Sequence, residues 1–199
     1  MPMSRQPVIL AILLLLLQPA LAHAHVGIGA GGAPPDGFLA GLSHPFGGID
    51  HLCAMLAVGL WAAQMGQRAV WAAPSSFLIL MAIGSLLGAS GMNPPFIEQG
   101  ILLSVLLLGL LITAAVRLPL AASVGLVGLF ALCHGFAHGS EMPASASGLA
   151  YASGFMLATA ALHLLGIGMG LLTRNLSKPY LIRHAGALIA AAGGYLWVA

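Results

Sequence analysis

Residues 44–51 read His-Pro-Phe-Gly-Gly-Ile-Asp-His and open an apolar stretch that runs through Leu52 to Ala63. A second cluster, His134-Gly-Phe-Ala-His138-Gly-Ser-Glu141, closes another apolar stretch. Placing an Asp at the centre of a membrane helix costs roughly 2.5–3.5 kcal/mol on insertion scales, so such groups usually face a cavity or an ion. Imidazoles and carboxylates together suit first-row divalent ions such as nickel, cobalt, zinc and copper. Calcium and magnesium prefer shells built wholly from oxygen. His44, Asp50, His51, His134, His138 and Glu141 are therefore the candidate metal ligands. The bland alternative is that these groups hydrogen-bond to one another and only hold the helices together.

Spacing sharpens the second cluster. Each helical residue turns by about 100°, so His134, His138 and Glu141 fall within about 60° on one face. His44 and His51 are seven apart and would share a face of an unbroken helix. Pro45, Gly47 and Gly48 argue against an unbroken helix. A break there would let Asp50 and His51 both turn inward, as discontinuous helices do in transporters.

The elements that must carry these residues follow from composition. The chain has 199 residues, 60% hydrophobic and only 5% charged, against about 25% charged in a soluble domain. It cannot cover a soluble surface and reads as all-α, a polytopic bundle of membrane helices. Its 27 glycines suit close helix–helix contact in lipid. A net charge of +2 with no basic tract gives no sign of nucleic-acid binding.

The N-terminus has the form of a cleavable secretory signal. Arg5 is its positive region, Val8 to Leu17 its apolar region, and Ala20-Leu21-Ala22 its small-x-small site. Residues 1–22 are thus expected to be removed, leaving 23–199 as one transmembrane domain. Cutting after Ala22 would expose His23-Ala24-His25. A free amine, two amides and the third-position imidazole of His25 can wrap a square-planar nickel or copper ion. A plain solvated tail is the alternative.

Six spans follow, at roughly 47–66, 69–90, 96–116, 119–138, 146–172 and 179–198. Short links imply an antiparallel bundle of sequential neighbours. Arg68, Arg117, Arg174, Lys178 and Arg183 all fall at one end of it. The positive-inside rule makes that end cytoplasmic and the mature N-terminus periplasmic. The ligand clusters and Glu98 then lie at the outer end. Cys53 and Cys133 each adjoin a cluster, so packing, a disulfide and metal ligation all stay open. His163 sits mid-span, either as a packing residue or as a lower step for an ion. His184 lies near the inner end of the last span.

Several enzyme classes find no support. The His-Glu-x-x-His signature, the Gly-x-Ser-x-Gly elbow and the nucleotide-binding Gly-x-x-x-x-Gly-Lys-Ser/Thr loop do not occur. The chain is expected to be no enzyme, to hold no permanent cofactor, and to have a divalent metal ion and the lipid bilayer as partners. Oligomeric state is open. Imidazole ligands titrate near neutral pH, so metal entry should weaken as pH falls.

The sequence resembles the HupE/UreJ family of nickel permeases. The resemblance is carried by His44-Pro-Phe-Gly-Gly-Ile-Asp50-His51-Leu, by Ala54-Met55-Leu-Ala-Val-Gly59-Leu-Trp61, and by His134-Gly-Phe-Ala-His138-Gly-Ser-Glu141-Met-Pro143. It extends over nearly all of the mature chain. It implies secondary transport of Ni²⁺ across a bacterial inner membrane, with the motif His and acidic residues handling the ion. Uptake of Co²⁺, Zn²⁺ or Cu²⁺ is the nearest rival. A membrane subunit that binds metal without moving it is the rival from another class.

Overall fold

The computed structural model describes residues 37–142 and 148–199. The expected signal sequence, residues 1–22, and the His23-Ala24-His25 segment lie outside these residues. A short helix α1 (Gly37–Ser43) runs into a 3₁₀ turn (His44–Phe46). Six longer helices follow: α2 (Ile49–Met65), α3 (Ala69–Ala89), α4 (Ile97–Thr113), α5 (Leu120–Ser140), α6 (Gly148–Asn175) and α7 (Tyr180–Val198). They occupy the six stretches that the apolar pattern marks out. Helix α1 was not expected, because its seven residues carry no span-length signal.

Crossing length is a stricter test than helix formation. Helices α3, α5, α6 and α7 are long and apolar enough to cross a membrane, and α1 with its 3₁₀ turn plus α2 makes a fifth candidate, bent by 79°. Helix α4 has 17 residues and rises only about 26 Å, short of the ~30 Å hydrocarbon core. Four to five candidate spans therefore stand among the described residues, where six were expected.

Helix α2 is the centre of the bundle. It packs on α6, α4, α3 and α7, and from Ala54 to Ala63 only Leu56 is not buried. A helix that is apolar all round belongs in such an interior position. Trp61 Nε1 donates to the Val116 carbonyl at 3.0 Å and Gln64 Nε2 to the Ile112 carbonyl at 3.1 Å. Arg183 Nε donates to the Thr113 carbonyl at 2.8 Å. These three bonds serve carbonyls at and just beyond the C-terminus of α4, where intrahelical partners run out and a cation is favoured; the Ile112 carbonyl also takes the Ala115 N–H at 3.1 Å.

The tightest pairings are α3 with α5, α4 with α7, and α2 with α6. Lipid supplies no hydrophobic drive for helices to associate, so close backbone approach must. The α3–α5 contact shows how. A Cβ on Gly135 would fall on the Met81 carbonyl oxygen, and one on Gly139 on the Ser85 carbonyl oxygen. Each glycine follows a histidine, His134 and His138 respectively. With the glycine edge pressed against α3, the histidines one residue back turn toward the bundle interior.

Candidate metal centre

The break before α2 builds half of the site. Gly48 caps α2 in extended conformation (φ −122°, ψ 129°), and Asp50 lies in the first turn. A carboxylate is favoured there by the helix dipole. Asp50 Oδ1 accepts from the His51 backbone N–H at 2.8 Å and lies 2.7 Å from His51 Nδ1. A Cβ at Gly48 would sit 2.5 Å from that oxygen and 3.2 Å from His51 Nδ1. Glycine at 48 therefore leaves the room in which the Asp50–His51 pair closes.

The pairing fixes the tautomer. An ionised Asp50 only accepts, so His51 Nδ1 carries the proton and Nε2 presents its lone pair. That Nε2 is buried and has no hydrogen-bond partner among the described residues. A metal-binding histidine ordinarily has its other nitrogen held in this way by a carboxylate or carbonyl.

Helix α5 brings the other half. His134 Nε2 lies 3.0 Å from Ser104 Oγ on α4. That hydroxyl gives its proton to the Ile101 carbonyl at 2.6 Å, so His134 donates from Nε2 and its lone pair lies on Nδ1. Nδ1 likewise has no hydrogen-bond partner among the described residues. His138 completes the group, its ring centroid 4.4 Å from that of His51; the His51 and His134 centroids are 5.1 Å apart. One nitrogen from each of His51, His134 and His138 lies within 4.8 Å of the other two. Donors bound to one ion at about 2.1 Å cannot be more than about 4.2 Å apart. Side-chain shifts of roughly 1 Å would close this group on an ion.

A second group overlaps the first. His44, His138 and Glu141 also present one ligand atom each within 4.8 Å of one another. The His44 and His138 ring centroids are 4.7 Å apart, and His44 Nε2 lies 3.8 Å from Glu141 Oε2. His44 and Glu141 side chains are each 30% exposed, whereas His51, His134 and His138 are at most 4% exposed. His138 belongs to both groups. Beside them a cavity of about 80 Å³ is lined by Asp50, Asn93, Glu98, Ser140 and Glu141, among others.

All six sequence-predicted ligands therefore lie in one region. Five offer atoms to the two groups, and Asp50 is turned onto His51 instead. Cys53 and Cys133 are free thiols, not a disulfide, and neither belongs to a group. Cys133 Sγ packs where Gly100 leaves space on α4. His163 stands apart, donating from Nδ1 to the Met55 carbonyl at 2.8 Å. Two contributors lay outside the sequence-derived ligand set. Glu98 carried a signal, being an acid that opens a span at the ligand end. Ser104 carried none, since a serine in an apolar helix is common.

The family profile described as HupE / UreJ protein matches residues 11–196. The chain belongs to the HupE/UreJ family. It is 45% identical over 183 residues to Protein HupE of Rhizobium leguminosarum bv. viciae, covering 92% of this chain and 93% of that one. No solved structure matches it. The resemblance drawn from the two histidine motifs is thus shown, and both motifs fall inside the matched region.

Proposed function

We propose that this member of the HupE/UreJ family is a permease that takes up Ni²⁺ across the bacterial inner membrane. The observation that carries the reading is the pair of ligand groups joined through His138, one partly exposed and one buried. Family membership supports it, the family being of nickel/cobalt transporter type. An ion arriving hydrated would meet His44, Glu141 and the acid-lined cavity first. It would lose water on passing to the three imidazoles, which suit nickel better than hard cations. Asp50 would serve from behind, raising the basicity of His51.

The arginines support the direction. Arg117 and Arg174 line a cavity of about 320 Å³ at the end of the bundle away from the ligand histidines. By the positive-inside rule that end is cytoplasmic, which leaves the ligand groups facing outward. A negative-inside potential then favours entry of a divalent ion by about 4.6 kcal/mol per 100 mV, twice the unit-charge value. No further coupling ion is required for uptake.

Radiolabelled nickel uptake into proteoliposomes tests this. Saturable uptake is expected, driven by an imposed negative-inside potential, with Co²⁺ the strongest competitor and Mg²⁺ without effect. Zn²⁺ or Cu²⁺ displacing nickel more strongly than Co²⁺ would reassign the cargo. Tight binding with no flux would make the chain a metal-holding subunit instead.

A further inference from the structure

Resting on the permease reading, we propose that His163 Nε2, together with the Thr159 hydroxyl, is a second and deeper station for the transported divalent ion. His163 shares contact with the Phe77 ring with His134 of the buried His51–His134–His138 group. His163 is 1% exposed and sits on α6, fifteen residues from Gly148, roughly 22 Å along the helix. That is near the middle of the 28-residue helix. Its Nδ1 donates to the Met55 carbonyl, and a carbonyl cannot donate back, so Nε2 carries the lone pair. No described residue hydrogen-bonds to that nitrogen. This is the same arrangement as at His51, with a backbone carbonyl in place of Asp50 as the holding group.

Thr159 lies one turn before His163 and so on the same face of α6. A helical threonine usually donates to a carbonyl of the preceding turn. Thr159 is fully buried and its Oγ1 has no hydrogen-bond partner among the described residues. Two unsatisfied polar atoms one turn apart, deep in an apolar bundle, are costly unless something visits them.

Phe77 connects the two stations. Its ring lies edge-on to His163 at 5.0 Å and tilted against His134 at 5.6 Å, centroid to centroid. A single phenyl ring, itself fully buried, therefore touches both the last imidazole of the upper group and the next one down. Helix α2 supplies His51 to the upper station and, one turn on, the Met55 carbonyl that holds the lower one; residues four apart share a helix face, so the two stations follow one side of the central helix. A rotamer change at Phe77 would move a ring that touches both imidazoles.

The test uses purified full-length protein in proteoliposomes. His163→Asn keeps an N–H donor for the Met55 carbonyl and removes the Nε2 lone pair. Nickel uptake should fall by about tenfold or more, while equilibrium nickel binding at the upper group stays within about twofold of wild type. Uptake equal to wild type in that variant would overturn the proposal. A second variant, His163→Cys with Cys53 and Cys133 replaced by Ala, reports occupancy directly. Added Co²⁺ should give a thiolate-to-cobalt charge-transfer absorption that the same protein with His163 intact does not give. Loss of uptake without that band would assign His163 to packing and sink the station. Wild-type vesicles that take up no nickel at all would instead remove the permease reading itself, a failure visible without any variant.

Discussion

The two ligand groups that share His138 differ in ways that matter chemically. The His44–His138–Glu141 group includes a carboxylate, and two of its three members are partly open to solvent. The His51–His134–His138 group is all imidazole and buried. A carboxylate in a wet setting attracts a hydrated cation through charge and tolerates water as co-ligand. Neutral imidazoles in a dry setting exchange that water for nitrogen and select by ligand softness. On the proposed reading, selectivity belongs to the inner group and capture to the outer one. Among the described residues, His138 is the one that belongs to both groups, and so the one that could hold an ion through such an exchange.

The most severe way to break this division is to remove what the groups share. His138→Ala should weaken nickel binding by about 100-fold or more, at the upper end of what loss of a metal-site partner costs, and should abolish uptake. Isothermal titration of the purified protein and vesicle uptake together check it. Retained uptake would show that the ion moves between the groups without a common ligand.

Asp50 gives a smaller and more discriminating test. Its carboxylate is spent on His51 Nδ1 and the His51 backbone. Asp50→Asn leaves an oxygen to accept the same Nδ1–H bond and removes only the charge. An orienting role predicts about a tenfold loss of nickel affinity, with cobalt and nickel affected alike. A loss as deep as that of His51→Ala would make Asp50 a direct ligand, as the sequence alone had it.

Much of this arrangement was legible in residue order because membranes leave few choices. Apolar stretches of about twenty residues must become helices, and the break at Pro45-Phe-Gly-Gly48 announced itself by residue type. Three features did not show. Helix α1 is too short to carry a span signal and is held mainly by packing on α6. The division of the six ligands into two overlapping groups depends on how α2 and α5 face each other, and no spacing rule within one helix gives that. The turn of Asp50 onto its own neighbour depends on backbone angles at Gly48. Periodicity reports which face a residue occupies, not which partner it will choose there.

The finest discrimination comes from altering the outer group alone. Glu141 is 30% exposed, and its contact with His44 is loose at 3.8 Å. Interactions of that kind are worth at most about 1 kcal/mol, or roughly fivefold in an equilibrium. Glu141→Gln preserves size and hydrogen bonding while removing the charge that would draw in a cation. If the outer group captures and the inner one selects, half-saturation for nickel uptake should rise by up to about fivefold. Maximal rate and the nickel-over-cobalt preference should stay as in wild type. Uptake kinetics over a range of nickel concentrations, with and without cobalt, measure both quantities in one series. A changed metal preference in Glu141→Gln would mean that selection begins at the entrance, and the two groups would have to be treated as one site.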